Sequence, residues 1–230
     1  MYRRDYLLRL IEQSMAVVQK VMYEVSQRRL EEAMALLTQA MKQLLGVGSK
    51  LVHALAVKDL IALLSRDGEV DQGKVLALGD LLNAEAAVWK EAGQEVAARQ
   101  AATKSAELLL TARELDARAE LKDEFQSRVQ TALEMIGRSR MEIGLMEKLI
   151  SYYEETGWFA SSEDVLFHLL DALEEAGLES ERMEWVEIGI QMYERWLLLD
   201  EGKLENGNFS SNEVETALQE LKNQKHLTGN

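Results

Sequence analysis

Apolar residues recur along this chain at every third or fourth position, and they form no alternating runs, so the pattern predicts helices from end to end. A first helix is expected from about Arg4 to Val25, with Leu7, Leu10, Ser14, Val17 and Val21 on its inner stripe and Ile11, Val18 and Val25 widening it. Gln27-Arg28-Arg29 breaks it. A second helix carries Leu30, Ala33, Met34, Leu37, Met41 and Leu44 and closes at Gly46 and Gly48, the residue type that most easily turns a helix end left-handed. A third is expected from Ser49 to Leu64, followed by a turn at Arg66-Asp67-Gly68-Glu69. Asp71 is placed to cap a helix over Gln72 to Glu91, with Val75, Leu78, Leu82, Ala86 and Trp89 inward and Gly93 ending it. From Gln94 to Ile136 there is neither glycine nor proline. One helix of that length would run about 64 Å, so a break is expected, and the capping-box pattern Thr111-Ala-Arg-Glu114 places it.

Beyond Gly137 a helix over Arg138 to Thr156 turns Met141, Leu145, Leu149 and Tyr152 or Tyr153 inward and stops at Gly157. Ser161-Ser-Glu-Asp164 reads as the capping box of the next helix, which ends at Ala176-Gly177. A broadly apolar helix from Ser180 to Leu199 has Trp185, Ile188, Met192, Trp196 and Leu199 on its inner positions and is expected to be buried on more than one side. A polar loop follows over Gly202 to Asn208. Ser210-Ser-Asn-Glu213 then caps a last helix to Asn223, and Gln224 to Asn230 is expected to fray. These are nine or ten helices with short connections. The fold class is therefore all-α, with antiparallel hairpins stacked side by side, as one domain over 1–230 with sub-units 1–66, 67–137 and 138–230.

Composition sharpens this. Among 230 residues there is no proline, which breaks helix interiors, and no cysteine, which removes disulfides, thiolate metal sites and cysteine nucleophiles. The chain is acidic, with a net charge of −14, unevenly spread. Residues 1–50 hold 8 Lys/Arg against 5 Asp/Glu, whereas residues 151–230 hold 5 against 18. That balance argues against nucleic acid and anionic membrane as partners, since both demand clustered cations. No stretch reaches the 18 or so apolar residues of a membrane span, and Asp5, Arg9 and Glu12 interrupt any signal-peptide core. A cytoplasmic location is the expectation. Solvation of an acidic surface explains the asymmetry most simply; head-to-tail self-association, basic start against acidic end, is the sharper alternative.

Two segments share a spacing with a physical rationale. Trp89, Gly93, Ala98 and Ala102 match Tyr153, Gly157, Ser162 and Leu166, and Tyr23, Arg28 or Arg29, Ala33 and Leu37 form a looser copy. The glycine makes the turn, the small residue lets two backbones approach, and the larger ones fill the seam. This resembles the tetratricopeptide helix–turn–helix repeat, with uneven spacing and no closing proline. The start Tyr2-Arg-Arg-Asp-Tyr-Leu-Leu-Arg-Leu-Ile11 and the later Phe209-Ser-Ser-Asn-Glu-Val214 are similar to an uncharacterised family of bacterial all-helical proteins, which implies a cytoplasmic bacterial protein of no known activity. The repeat resemblance implies a partner-facing groove lined by Asn83, Ala87 and Lys90, and by Glu147, Ser151 and Glu154. Trp158 and Phe159, in a turn, are added as anchors should they be exposed, because aromatic side chains dominate binding energy.

Candidate chemistry is sparse. His53 lies on the stripe of Val57, Leu60 and Leu64 and is expected to be partly buried; His168 is expected outside and His226 in the tail. Neither His-Glu-x-x-His nor Glu-x-x-His occurs. Loops at Asp67–Asp71 and Gly207–Glu213 imitate parts of a calcium loop but lack ligand positions, Lys74 standing where the bidentate glutamate belongs, and they read better as capping turns. The pairs Glu154-Glu155, Glu174-Glu175 and Asp200-Glu201 diverge by about 100° on a helix and read as solvated faces. Met15, Met22, Met34 and Met41 form a seam across the first hairpin, read as core filling or as an adaptable groove. The expectation is a non-enzymatic helical-repeat protein that binds a protein or peptide, or itself, without cofactor or metal. A small-ligand-sensing regulator and an enzyme with a site assembled from distant residues stand as alternatives.

Overall fold

The computed structural model describes the backbone of residues 2–115, 121–137 and 141–228, and the side chains of residues 5–225 within them. Among the described residues the fold is all-α: twelve α-helices, one π-helical turn and a two-stranded hairpin of two residues per strand. They gather into two compact units, 1–141 and 142–230.

The first unit contains α1 (Tyr2–Ser26), α2 (Leu30–Ala40) running into the π turn Met41–Leu45, α3 (Ser49–Ala54), α4 (Val57–Leu63), β1 (Ser65–Arg66), β2 (Glu69–Val70), α5 (Gln72–Glu91), α6 (Glu95–Leu115) and α7 (Lys122–Ile136). Its axis is α5, which packs on α1, α2, α6 and α7. Of the 20 residues of α5, 13 are buried, including Leu76, Ala77, Leu81 and Val88 as well as the predicted Val75, Leu78, Leu82 and Ala86. Burying each large aliphatic side chain is worth about 1.5–3 kcal/mol, so this all-round apolar helix organises the unit. Gly79 lets α6 come close: a Cβ there would stand 2.8 Å from Leu109 Cδ2, and Ser105 Oγ donates to the Gly79 carbonyl at 3.2 Å.

The second unit contains α8 (Ile143–Thr156), α9 (Phe159–Glu175), α10 (Glu179–Trp196), α11 (Glu201–Asn206) and α12 (Ser211–Thr228). Its core is aromatic. The ring of Trp196, 1% exposed, meets Phe159, Tyr193 and Phe209 at centroid distances of 5.0, 5.1 and 5.6 Å.

Both units use the same hinge. Gly93 has φ +71° and Gly157 φ +76°, and the amide just beyond each reaches back to the carbonyl of the preceding aromatic: Gln94 N to Trp89 O at 2.9 Å, Trp158 N to Tyr153 O at 2.8 Å. The chain folds back at both, α6 onto α5 and α9 onto α8. The small residues Ala98, Ala102 and Ser162 are buried where the backbones approach.

The differences from the sequence reading have local causes. The expected third helix is two, α3 and α4, because Leu55 and Ala56 are extended; Lys104 of α6 donates to the carbonyls of His53 at 2.9 Å and Leu55 at 2.7 Å that the break leaves open. The polar loop after Leu199 contains α11, capped by Asp200. These two changes raise the expected nine or ten helices to the twelve found among the described residues. Thr111 lies inside α6, which is described to Leu115, so it does not begin a new helix; residues 116–120, between Leu115 and the Leu121 that precedes α7, are outside the described ones. The helix expected from Arg138 begins at Ile143; residues 138–140 are outside the described ones. Ser161-Ser-Glu-Asp164 is no cap: α9 starts at Phe159, and Ser162 instead donates from the buried seam to the Ile150 carbonyl at 3.0 Å. The backbone of the expected tail continues α12 to Thr228. Asp71 and Ser210 do cap their helices.

Candidate functional site

The carboxylates assigned to a groove are seam residues. On α8, Glu147 Oε1 accepts the indole N–H of Trp185 at 3.2 Å, and seven residues on Glu154 Oε1 accepts that of Trp196 at 3.1 Å. Arg195 closes a fork on Glu154, its Nη2 donating to Oε1 at 2.9 Å and to Oε2 at 2.8 Å. Both tryptophans belong to α10, so α8 and α10 run parallel with α9 packed against each. In the first unit the position equivalent to Glu147 is Asn83, whose Nδ2 donates to the Arg128 carbonyl of α7 at 3.0 Å. In both units this position ties the first helix of a hairpin to the helix that follows it.

The residues expected to line a groove differ in their exposure. Asn83 and Phe159 are buried and face inward. Glu147, Glu154 and Ala87 are half-buried, and Trp158 is half-buried against the Tyr153 ring, with centroids 5.7 Å apart. Lys90 and Ser151 are exposed. One residue expected inside is out: Ile188 of α10 is 40% exposed. It shares a face with Glu181, Glu184 and Gln191, all exposed. Their spacing from Ile188, seven residues for Glu181, four for Glu184 and three for Gln191, was the signal for an outer face. Among the described residues, then, α10 presents Glu181, Glu184, Ile188 and Gln191 beside the Glu147–Trp185 seam, with Ser151 exposed on α8.

Other polar groups are structural. His53 is exposed rather than partly buried, but its Nε2 stands 2.9 Å from the buried Glu85, which also accepts from Trp89 Nε1 at 3.2 Å. Asp80 of α5 meets Arg128 of α7, Nε to Oδ1 at 2.8 Å, and accepts from Ser14 of α1 at 2.7 Å. Burial pushes the Asp80 carboxyl above its ordinary range, against the pull of Arg128. In the second unit Tyr193 donates to Glu163 at 2.7 Å; burial raises both groups, the tyrosine further because of the carboxylate beside it. His168 is exposed, and the His226 side chain is outside the described residues. No three histidine or carboxylate side chains among the described residues gather as a metal site, and no helix among them is long and apolar enough to cross a membrane. Met41 is core, while Met15 and Met22 are 51% and 42% exposed on α1.

The model of a family of unknown function, DUF6483, covers residues 1–226. The chain belongs to DUF6483. No curated protein and no solved structure matches this DUF6483 member.

Proposed function

We propose that this chain is a non-catalytic cytoplasmic interaction module, built on tetratricopeptide-like hairpins, that receives a protein segment on the α8–α10 face of its second unit. One observation carries the reading: Ile188 is an exposed aliphatic side chain between charged and polar neighbours, beside a seam that indole–carboxylate bonds hold fixed. A rigid face costs little ordering entropy when a partner arrives, so a modest contact can register as binding. An apolar anchor with a charged rim is the usual anatomy of such a contact.

A photoreactive amino acid placed at position 188 in the native cell tests it. Capture of a single protein species, absent when the probe stands at the exposed His168 of α9, is the expected result. Equal capture from both positions, or none, would overturn the reading.

A further inference from the structure

We propose that helix α1 is a self-association surface, covered by α1 of a second copy of this chain lying antiparallel across a two-fold axis at Met15. The α8–α10 face plays no part in it. α1 carries two apolar stripes, and its own unit uses one. Leu10, Ser14 and Val21 are buried, Ser14 bonding to Asp80 of α5. Beside that stripe Leu8, Met15 and Met22, seven residues apart, stay exposed at 45%, 51% and 42%. Exposed apolar side chains are ordinary when scattered singly, but three along one helix face make a continuous strip. It runs about 21 Å, for 14 steps of 1.5 Å. Recurrence every seven residues is the spacing at which one helix lies along another.

The strip has two unlike edges. On one side Ile11, Val18 and Val25 repeat at the same interval, Ile11 buried and the two valines half-buried. On the other side Asp5, Glu12, Gln19 and Ser26 repeat, all exposed. This difference selects the orientation. A parallel second copy would turn the polar edge of one helix to the apolar edge of the other and press Glu12 against Ile11 and Val18, where its charge loses water without a partner. An antiparallel copy turns like edge to like edge. Leu8 then meets Met22 of the second copy, Met15 meets its own equivalent on the axis, and Val18 approaches Ile11. On the polar edge Glu12 comes beside Gln19 and Asp5 beside Ser26, so each carboxylate faces a side chain that can donate to it and none faces another carboxylate. The contact is isologous, so two copies close the assembly and nothing longer forms. A single helix pair is a small interface, of the class that forms transient complexes. Its centre is leucine and methionine, which adapt to each other's shape, and not ion pairs, so salt has little effect on it.

The chain contains no cysteine, so single thiols introduced into the full chain report the geometry. Under mild oxidation Met15→Cys is expected to form a disulfide dimer with itself. Leu8→Cys is expected not to, because its two copies stand about 21 Å apart along the helices and a disulfide needs Cα atoms within about 7 Å. Mixed with Met22→Cys it is expected to pair. Lys20→Cys, exposed about 140° round α1 from Met15, is the control for chance collision. Sedimentation velocity of the native chain is expected to show a monomer–dimer equilibrium. Met15→Glu, which alters an exposed side chain, is expected to weaken the dimer by about tenfold or more. Leu8→Cys pairing with itself as fast as with Met22→Cys would overturn the antiparallel contact. Met15→Cys pairing no faster than Lys20→Cys, or a native chain that sediments as a monomer at every concentration, would overturn the proposal as a whole.

Discussion

Glu154 holds Trp196 and Arg195 together: one carboxylate accepts an indole N–H at 3.1 Å and three guanidinium hydrogen bonds, joining the ends of two parallel helices. Glu147 makes the lighter version of the same contact, with Trp185 alone at 3.2 Å. The two sites should respond differently to truncation. Trp196 is buried, so Glu154→Ala strands its N–H away from water, and a loss of about 1.5–3 kcal/mol is expected. Trp185 is half-buried, and its N–H can turn to solvent; Glu147→Ala should lose about 0.5–1 kcal/mol and Glu147→Gln less. Urea unfolding of the three variants measures this, and equal losses at the two positions would contradict the assignment.

The buried pair of Asp80 and Arg128 joins α5 to α7, with Ser14 bringing in α1. Removing one partner leaves the other charge uncompensated. Arg128→Met is expected to destabilise the first unit by about 3–5 kcal/mol, and Asp80→Leu combined with it to recover much of that, since apolar replacement of both members is often neutral. A double-mutant cycle by chemical denaturation provides the check; additive losses would show that the pair is not coupled.

Glu163 gives the second unit a pH dependence. Burial holds its carboxyl above the ordinary value, partly offset by the bond from Tyr193. Between the unfolded value, about 4.3, and the raised folded one, the native state binds more protons than the unfolded state. This group's contribution therefore declines as pH rises through that window. Glu163→Gln keeps an acceptor for Tyr193 and removes the titration. Its melting temperature relative to native protein should thus be higher at pH 7 than at pH 4. A difference that stays flat with pH would contradict the burial argument.

Gly207 is wedged where the hinge of α8 and α9 meets the turn after α11. A Cβ there would overlap the Gly157 carbonyl and the Phe159 ring. Gly207→Ala is expected to destabilise by about 1–3 kcal/mol. Gly144, in the first turn of α8 with open space around it, should instead gain about 0.4–1 kcal/mol on change to alanine. Thermal unfolding of the two variants, with shifts of opposite sign, checks the packing of the second unit.

The helical pattern and the hinges were legible because they are local. Gly93 and Gly157 turn the chain where the spacing said they would, and Asp71 and Ser210 cap as their patterns require. What escaped was decided at long range. Leu55 and Ala56 carry no breaking signal, and their extended conformation is served by Lys104, 49 residues after Leu55. Ser161 looked like a cap because it opens a Ser-x-x-Asp pattern; α9 has already begun at Phe159, so the pattern lies inside the helix, and the Ser162 hydroxyl donates within the seam to the Ile150 carbonyl. Glu147 and Glu154 looked like solvated groove residues because nothing nearby in sequence announces that tryptophans 38 and 42 positions later will seek them. Ile188 was assigned inside by its apolar type, although its polar neighbours at helical spacing pointed outward.

The lack of cysteine in the chain makes a direct measurement clean. An Ile188→Cys copy carrying a thiol-linked photocrosslinker is returned to extract of the native cell, beside a His168→Cys copy carrying the same label. One captured protein species at position 188, absent at position 168, is what an occupied α8–α10 face predicts. Equal capture from the two positions, or none, would contradict it.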